Sequence, residues 1–286
     1  MQKKVLILGS KGQIGDYLCY YLRKKKYKVF EIDIARSKKE DLRNLDNKRI
    51  KNLFSSADFV FFLAFDVGGS VYLKKYQNTF NFINNNMLIM SNTFSKLKNK
   101  KFIFASSQMS NMNYSIYGLL KKVGEFYTSI LGGISVRFWN VYGVEKDLEK
   151  SHVITDLILK GIKNKKIKLN TNGQEERDFL YVEDCCSGLE IIMNRYTALK
   201  KFKTIDLNSG KFIKIVSVAK IILDYFIKDG KKIKLILTKK RDDVQLNKKN
   251  KSDKLFFKYW KPKFSLQHGI GVLYKYYNKN YKIYVK

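Results

Sequence analysis

The apolar run Val5-Leu6-Ile7-Leu8 leads straight into Gly9-Ser10-Lys11-Gly12-Gln13-Ile14-Gly15, and that junction restricts the fold more than anything else in the chain. Four apolar residues in a row have no helical period and read as a buried strand. Beyond the glycines, Ile14, Leu18, Tyr21 and Leu22 recur at helical spacing. A strand that turns through glycines into a helix opens a dinucleotide-binding unit. Gly9 and Gly12 let the backbone approach a pyrophosphate, whose charge meets the helix N-terminus, and Gly15 lets helix pack on strand. Gln13 and Ile14, in the same turn, join them as cofactor-binding candidates. The spacing is G-x-x-G-x-x-G, one residue wider at the start than the general fingerprint. A second strand-like run, Lys28-Val29-Phe30-Glu31-Ile32, ends in Asp33, 18 residues after Gly15. An acid there accepts from the ribose hydroxyls and repels a 2′-phosphate, which favours NAD, although Arg36 close by keeps NADP open.

Further strand-like runs near 58–64, 101–105 and 134–138 alternate with helical stretches. That alternation predicts an α/β fold, a Rossmann-type doubly wound parallel sheet with ligands at the strands' carboxyl ends. Gly9, Asp33, Ala64, Ser107 and Asn140 all fall at or just past those ends. After Gly143 the pattern turns irregular, with helices expected near 151–163, 182–196 and 214–229. Residues 1–143 are therefore expected to form the dinucleotide-binding domain and 144–286 mainly a smaller α/β substrate domain, the chain crossing between the two. The tail Tyr274–Lys282 reads as a last helix packing its tyrosines inward, with attachment to an anionic surface as the alternative.

Tyr117 and Lys121, preceded by Ser106-Ser107, carry the chemistry. A phenol with an ordinary pKa near ~10 is a poor base at neutral pH. A lysine four residues on shares its helix face, and its ammonium, with a positive nicotinamide ring, would favour the phenolate. Tyr117 would then take a proton from a substrate hydroxyl as hydride leaves the same carbon, while a serine orients the oxygen. Ser107, further past the strand end, is the first candidate and Ser106 the second.

The net charge of +32 invites a nucleic-acid reading, but only eight of the 57 basic residues are arginine and the lysines are spread along the whole chain. A solvated surface explains such a distribution, and its field would help capture an anionic substrate. No apolar stretch approaches the ~20 residues that span a bilayer. The first strand begins at once, leaving no room for a secretory signal, so a cytoplasmic protein is expected. Three cysteines, Cys19, Cys185 and Cys186, are too few for a disulfide framework, and no Cys/His spacing suits a metal.

These motifs together resemble the extended short-chain dehydrogenase/reductase family, the NAD-dependent nucleotide-sugar epimerases and dehydratases. Asp41-Leu42-Arg43 is similar to its adenine-contacting segment, with Asp41 and Leu42 as cofactor contacts. Phe61-Phe62-Leu63-Ala64 resembles the strand beside the nicotinamide ribose. Val136-Arg137-Phe138-Trp139-Asn140-Val141-Tyr142-Gly143 resembles the family's Arg-x-x-Asn-Val-Tyr-Gly, and Arg177-Asp178-Phe179-Leu180-Tyr181-Val182-Glu183-Asp184 its substrate-domain segment. Arg241, with Asp243-Val244, falls where the family places a diphosphate-binding arginine. The resemblance implies that Asn140, Arg177 and Arg241 bind a nucleotide-sugar, that NAD is the cofactor, and that the protein is a homodimer built on the helix around Tyr117–Ile130. It also implies a place in surface-polysaccharide synthesis.

Asp66-Val67-Gly68-Gly69, Asn86-Met87, Asn92 and Ser151-His152-Val153-Ile154 resemble the GDP-sugar branch typified by GDP-fucose synthase. There the histidine is an acid in epimerisation at C3 and C5, which makes His152 a further catalytic candidate. That branch pairs it with a cysteine, where this chain has Gln108. Dehydratases carry an acidic pair where Gln108 and Met109 stand. Neither residue can act as a base. What is left is oxidation, reduction or epimerisation at one carbon, C4 by family analogy. A non-catalytic dinucleotide-binding sensor of the same fold is the alternative, and such proteins tend to lose the tyrosine or lysine kept here.

Overall fold

In the computed structural model, which describes residues 2–45, 47–242 and 252–284, the first half of the chain is a strand–helix alternation. Its strands are β1 (Lys4–Leu8), β2 (Lys28–Ile32), β3 (Phe59–Phe62), β4 (Phe102–Ser107) and β5 (Ile134–Phe138). The intervening helices are α1 (Gln13–Lys24), α2 (Lys48–Ser56), α3 (Ser70–Tyr76), α4 (Phe80–Lys96) and α5 (Ile116–Ile130). The second half continues with β6 (Asn140–Tyr142), α6 (Val153–Asn164), β7 (Lys166–Lys168), β8 (Glu176–Tyr181), α7 (Val182–Asn194) and α8 (Tyr196–Leu199). It closes with β9 (Thr204–Leu207), β10 (Phe212–Lys214), α9 (Ile215–Lys228), β11 (Lys234–Ile236) and α10 (Leu266–Tyr284). Asp243 and Val244 lie outside the described residues.

The main sheet has six parallel strands in the order β2-β1-β3-β4-β5-β9. This is a Rossmann-type α/β fold, with helices on both faces. Alternation within each strand explains why both faces are dry: Val5, Ile7, Phe59, Phe61 and Ile103 feed one hydrophobic cluster, while Leu6, Leu8, Val60, Phe62 and Phe104 feed the other. After β1 the chain crosses to β2 on one side and later returns to β3 on the other. The resulting crevice at their carboxyl ends is where ligands bind in such sheets.

Strand β9 was not anticipated. Thr204-Ile205-Asp206-Leu207 is a short run inside the irregular half, yet it pairs with β5 in parallel and completes the sheet. The remaining short strands form a three-stranded sheet, β10-β8-β6, and a two-stranded one, β11-β7. The tyrosines Tyr274 and Tyr277 of α10 are buried, as the inward-packing reading expects. Among the described residues no helix is long and apolar enough to cross a membrane.

Candidate active site

A cleft of about 700 Å³ runs along the carboxyl ends of the strands, from the glycine turn past Tyr117 to Arg177. Gly9, Gly12, Gln13, Ile14, Gly15, Asp33, Asp41, Leu42, Ala64, Ser106, Ser107, Tyr117, Lys121, Asn140, His152 and Arg177 all line it.

At the turn, Gly9 adopts φ +82°, and a Cβ there would lie 2.7 Å from the backbone nitrogen of Ala64. A Cβ on Gly15 would lie 2.0 Å from the Gly9 carbonyl oxygen, so the close helix–strand contact requires glycine at both positions. Gly12 differs. A Cβ there meets only the Gly9 carbonyl oxygen, at 3.4 Å, and would stand in the cleft. Gly12 is also the N-cap of α1 without a side-chain capping bond, leaving the first N–H groups of the helix for an anion. That bare backbone cradle fits a dinucleotide pyrophosphate.

Asp33 holds the next wall. Its carboxylate accepts from the backbone N–H of Lys11 and of Ala35, both at 2.8 Å, and retains lone pairs for ribose hydroxyls. Asp41 is engaged by Arg43, whose Nε and Nη2 donate at 2.7–3.0 Å, so this carboxylate shapes the loop. The buried Leu42 supplies apolar wall.

Tyr117 enters from the first turn of α5 and Lys121 from the second. Ser115 caps that helix, its Oγ accepting from the Gly118 N–H at 3.2 Å and donating to Gln77 at 3.0 Å. Tyr117 is 8 % exposed and Lys121 3 %. The Lys121 ammonium donates to the Ala105 carbonyl at 2.6 Å and sits 3.5 Å from the centre of the Phe65 ring. The protein's own groups do not depress the phenol as the lysine alone suggested. Burial pushes the Tyr117 pKa up to about 12, only partly opposed by a hydrogen bond from Ser107. Burial also drives the Lys121 pKa well down, against the pull of Glu125. A charge entering with a ligand has to complete the activation.

The two serines part company. The Ser107 hydroxyl bonds Tyr117 and accepts from the Met109 N–H at 3.1 Å. Ser106 instead donates to Glu125 at 2.7 Å. The same carboxylate accepts from Ser110 at 2.8 Å and, through both oxygens, from Arg137 at 2.6 and 2.7 Å. Burial would raise the Glu125 pKa, but these donors hold it below the usual range. Glu125 thus ties the end of β4 to α5 and β5. Sequence reasoning passed over it, although its place four residues after Lys121 marked it as facing the same way.

His152, which the resemblance makes a catalytic candidate, is the N-cap of α6. The structure adds its partner, the buried Glu145. Nδ1 lies 2.6 Å from Glu145 Oε1, and the His152 backbone N–H donates to both carboxylate oxygens at 3.0 and 3.2 Å. The imidazole is 42 % exposed and lines the cleft. Burial would lower its pKa, but Glu145 outweighs that and raises it. The Glu145 backbone is locked by Tyr277, which accepts from its N–H at 2.7 Å and donates to its carbonyl at 3.1 Å. The loop after β3 docks here too. Gly69 donates to the Lys150 carbonyl at 2.9 Å, and a Cβ on Gly69 would lie 2.2 Å from the Ser151 carbonyl oxygen. Asp66 pairs with Lys150 at 2.9 Å.

At the far end, Asn140 donates to the Asp178 carbonyl at 3.1 Å, and Arg177 is paired with Asp242. The structure does not bring Arg241 into the cleft. Asp242 turns inward to Arg177, and its neighbour Arg241 is left exposed, off the cleft lining. Gln108 and Met109 stand in the cleft, buried.

A dinucleotide cradle joined to a tyrosine–lysine–serine cluster defines an NAD-dependent oxidoreductase-type site. The model of the NAD dependent epimerase/dehydratase family matches residues 5–207, and the chain belongs to that family. It is 25% identical to the GDP-L-fucose synthase of Sinorhizobium fredii, over 97% of this chain and 96% of that one. Among solved structures, the epimerase Mth375 of Methanothermobacter thermautotrophicus aligns with a TM-score of 0.81 at 20% identity, covering 99% of this chain and 94% of its own. A GDP-6-OMe-4-keto-L-xylo-heptose reductase from C. jejuni aligns with a TM-score of 0.79 at 20% identity, covering 98% of each.

Proposed function

We propose that the protein transfers hydride at C4 of a GDP-linked sugar, as a 4-epimerase or a C4 dehydrogenase/reductase. The observation that carries this is the Ser107–Tyr117 hydrogen bond with Lys121 one turn on, all facing a cleft that continues from the glycine cradle. Bound NAD supplies a two-electron hydride acceptor and a positively charged ring. Tyr117 Oη takes the proton of the C4 hydroxyl, and Ser107 Oγ orients that oxygen from the other side. Lys121, held between the Ala105 carbonyl and the Phe65 ring, stabilises the phenolate once the cleft fills. Arg177 would bind the diphosphate after leaving Asp242, and Asn140 the sugar beside it. Gln108 and Met109 offer no carboxylate where dehydratases carry their acidic pair, which argues against expulsion of a neighbouring hydroxyl by that route. Similar proteins carry both GDP and UDP in their names, and GDP is favoured because the GDP-L-fucose synthase of Sinorhizobium fredii matches over 97% of this chain.

The exposed apolar residues Leu119, Phe126 and Ile130 on α5, with Phe80 at the start of α4, support a homodimer through these helices. A two-part organisation divided near residue 143 and a cytoplasmic location belong to the same reading. The test is mass spectrometry of small molecules released on denaturation, followed by assay of a sugar-nucleotide panel. Retained NAD(H) with interconversion of C4 epimers identifies an epimerase. Substrate-dependent change in NAD(H) absorbance identifies a dehydrogenase or reductase. Bound dinucleotide with no turnover on any sugar refutes the proposal.

A further inference from the structure

We propose that Glu31 sets the choice between NAD and NADP, by clamping Arg36 and Lys11, the cations that a 2′-phosphate would otherwise recruit. The inference rests on the NAD-dependent reading and concerns residues outside the fingerprint acid. Glu31 lies on β2, 7 % exposed and two residues before Asp33. Its carboxylate pairs with Arg23, with Arg36 at 3.0 Å and with Lys11 at 3.5 Å. Burial would push its pKa up, yet the two guanidinium groups hold it down to about 2, so it is charged at every working pH. On its other side Arg36 meets Glu40 at 3.4 Å. Glu40 is itself buried, accepts from the Asp33 N–H at 2.9 Å and pairs with Arg49. The guanidinium of Arg36 is therefore held between two buried carboxylates.

Lys11 is on the cleft lining beside Asp33 and reaches Asp16 at 3.4 Å as well as Glu31. A 2′-phosphate carries up to about two negative charges and binds through cations free to face it. Here it would meet Asp33 with the nearby cations already neutralised. Asp33 repels such a phosphate directly. Glu31 acts through Arg36 and Lys11 and is a positioning residue.

The experiment is a titration of nucleotide-stripped protein with NADH and with NADPH, read by fluorescence of the bound nicotinamide. Wild-type protein should prefer NADH. Glu31→Gln keeps the side-chain shape, releases the cations, and should strengthen NADPH binding about tenfold or more while changing NADH binding less than about threefold. Adding Arg36→Ala to Glu31→Gln should remove most of that gain. Arg36→Ala alone should leave NADPH affinity where it was, because that guanidinium is already committed to Glu31 and Glu40. Unchanged preference in a Glu31→Gln protein that still binds NADH overturns the inference alone. So does a severalfold loss of NADPH affinity in Arg36→Ala, and that arm decides the question if Glu31→Gln fails to fold. Wild-type protein that binds neither dinucleotide overturns the inference and the cofactor site together.

Discussion

Replacing Glu125 by alanine should cost about 4 kcal/mol of folding stability, most of it from the stranded Arg137 charge. The Glu125 side chain is 6 % exposed and receives four short hydrogen bonds, two from Arg137 and one each from Ser106 and Ser110. Breaking a buried pair by removing one partner costs ~3–5 kcal/mol. Arg137 is 18 % exposed, so water relieves part of its isolation and the low end, ~3 kcal/mol, applies. The two orphaned hydroxyls add about 1 kcal/mol between them, since they can partly satisfy each other.

Urea unfolding measures the loss as a shift in midpoint at constant slope. The companion variant Glu125→Leu/Arg137→Met removes both charges and refills the volume, and should recover at least half of the loss. The pH dependence has a definite sign. Because the folded pKa of Glu125 lies below its unfolded value near ~4.3, its contribution is complete above that pH and is lost as pH falls through the folded pKa. The alanine variant should lose less stability than wild type across that acid window. A cost below about 1 kcal/mol, or a double variant as unstable as the single, would refute the reasoning.

Tyr117→Phe should lower turnover by roughly 10²–10⁴-fold while leaving NAD(H) bound, as read by steady-state kinetics beside a fluorescence titration. Gly15→Ala places a Cβ 2.0 Å from the Gly9 carbonyl oxygen, so dinucleotide binding should be lost or severely weakened; a variant that binds normally would show the turn has room to move. Glu145→Gln should lower the imidazole pKa of His152, visible by NMR because the chain has only two histidines. The raised folded pKa means the pair's stabilisation is fully present below the unfolded histidine pKa and is lost as pH rises through the folded one. A His152 titration unmoved by the substitution would dissolve the pair.

Much of the cleft was legible because its residues sit close to local signals. A glycine turn, a tyrosine–lysine pair at helical spacing and an acid at a strand end each express backbone geometry within a few residues. The partners were not legible. Glu145 is seven residues from His152 in a stretch without periodicity, and nothing local tells which way either side chain turns. Arg241 and Asp242 are adjacent, and only their placement in space chose Asp242 to face Arg177. The direction of the Tyr117 pKa is not legible in the sequence for a similar reason. Spacing places the lysine near the ring, but burial depends on Phe65 and the rest of the cleft wall.

By itself the amino-acid order determined the parallel sheet, the dinucleotide turn and the cluster of Ser107, Tyr117 and Lys121, because periodicity and steric need are short-range properties. Tertiary structure alone decided which carboxylates hold His152 and Arg36, that Ser106 turns to Glu125, and that β9 closes the sheet. Those outcomes depend on which buried charges and hydrogen-bond donors come within reach of one another, and packing sets that across distances no local pattern records.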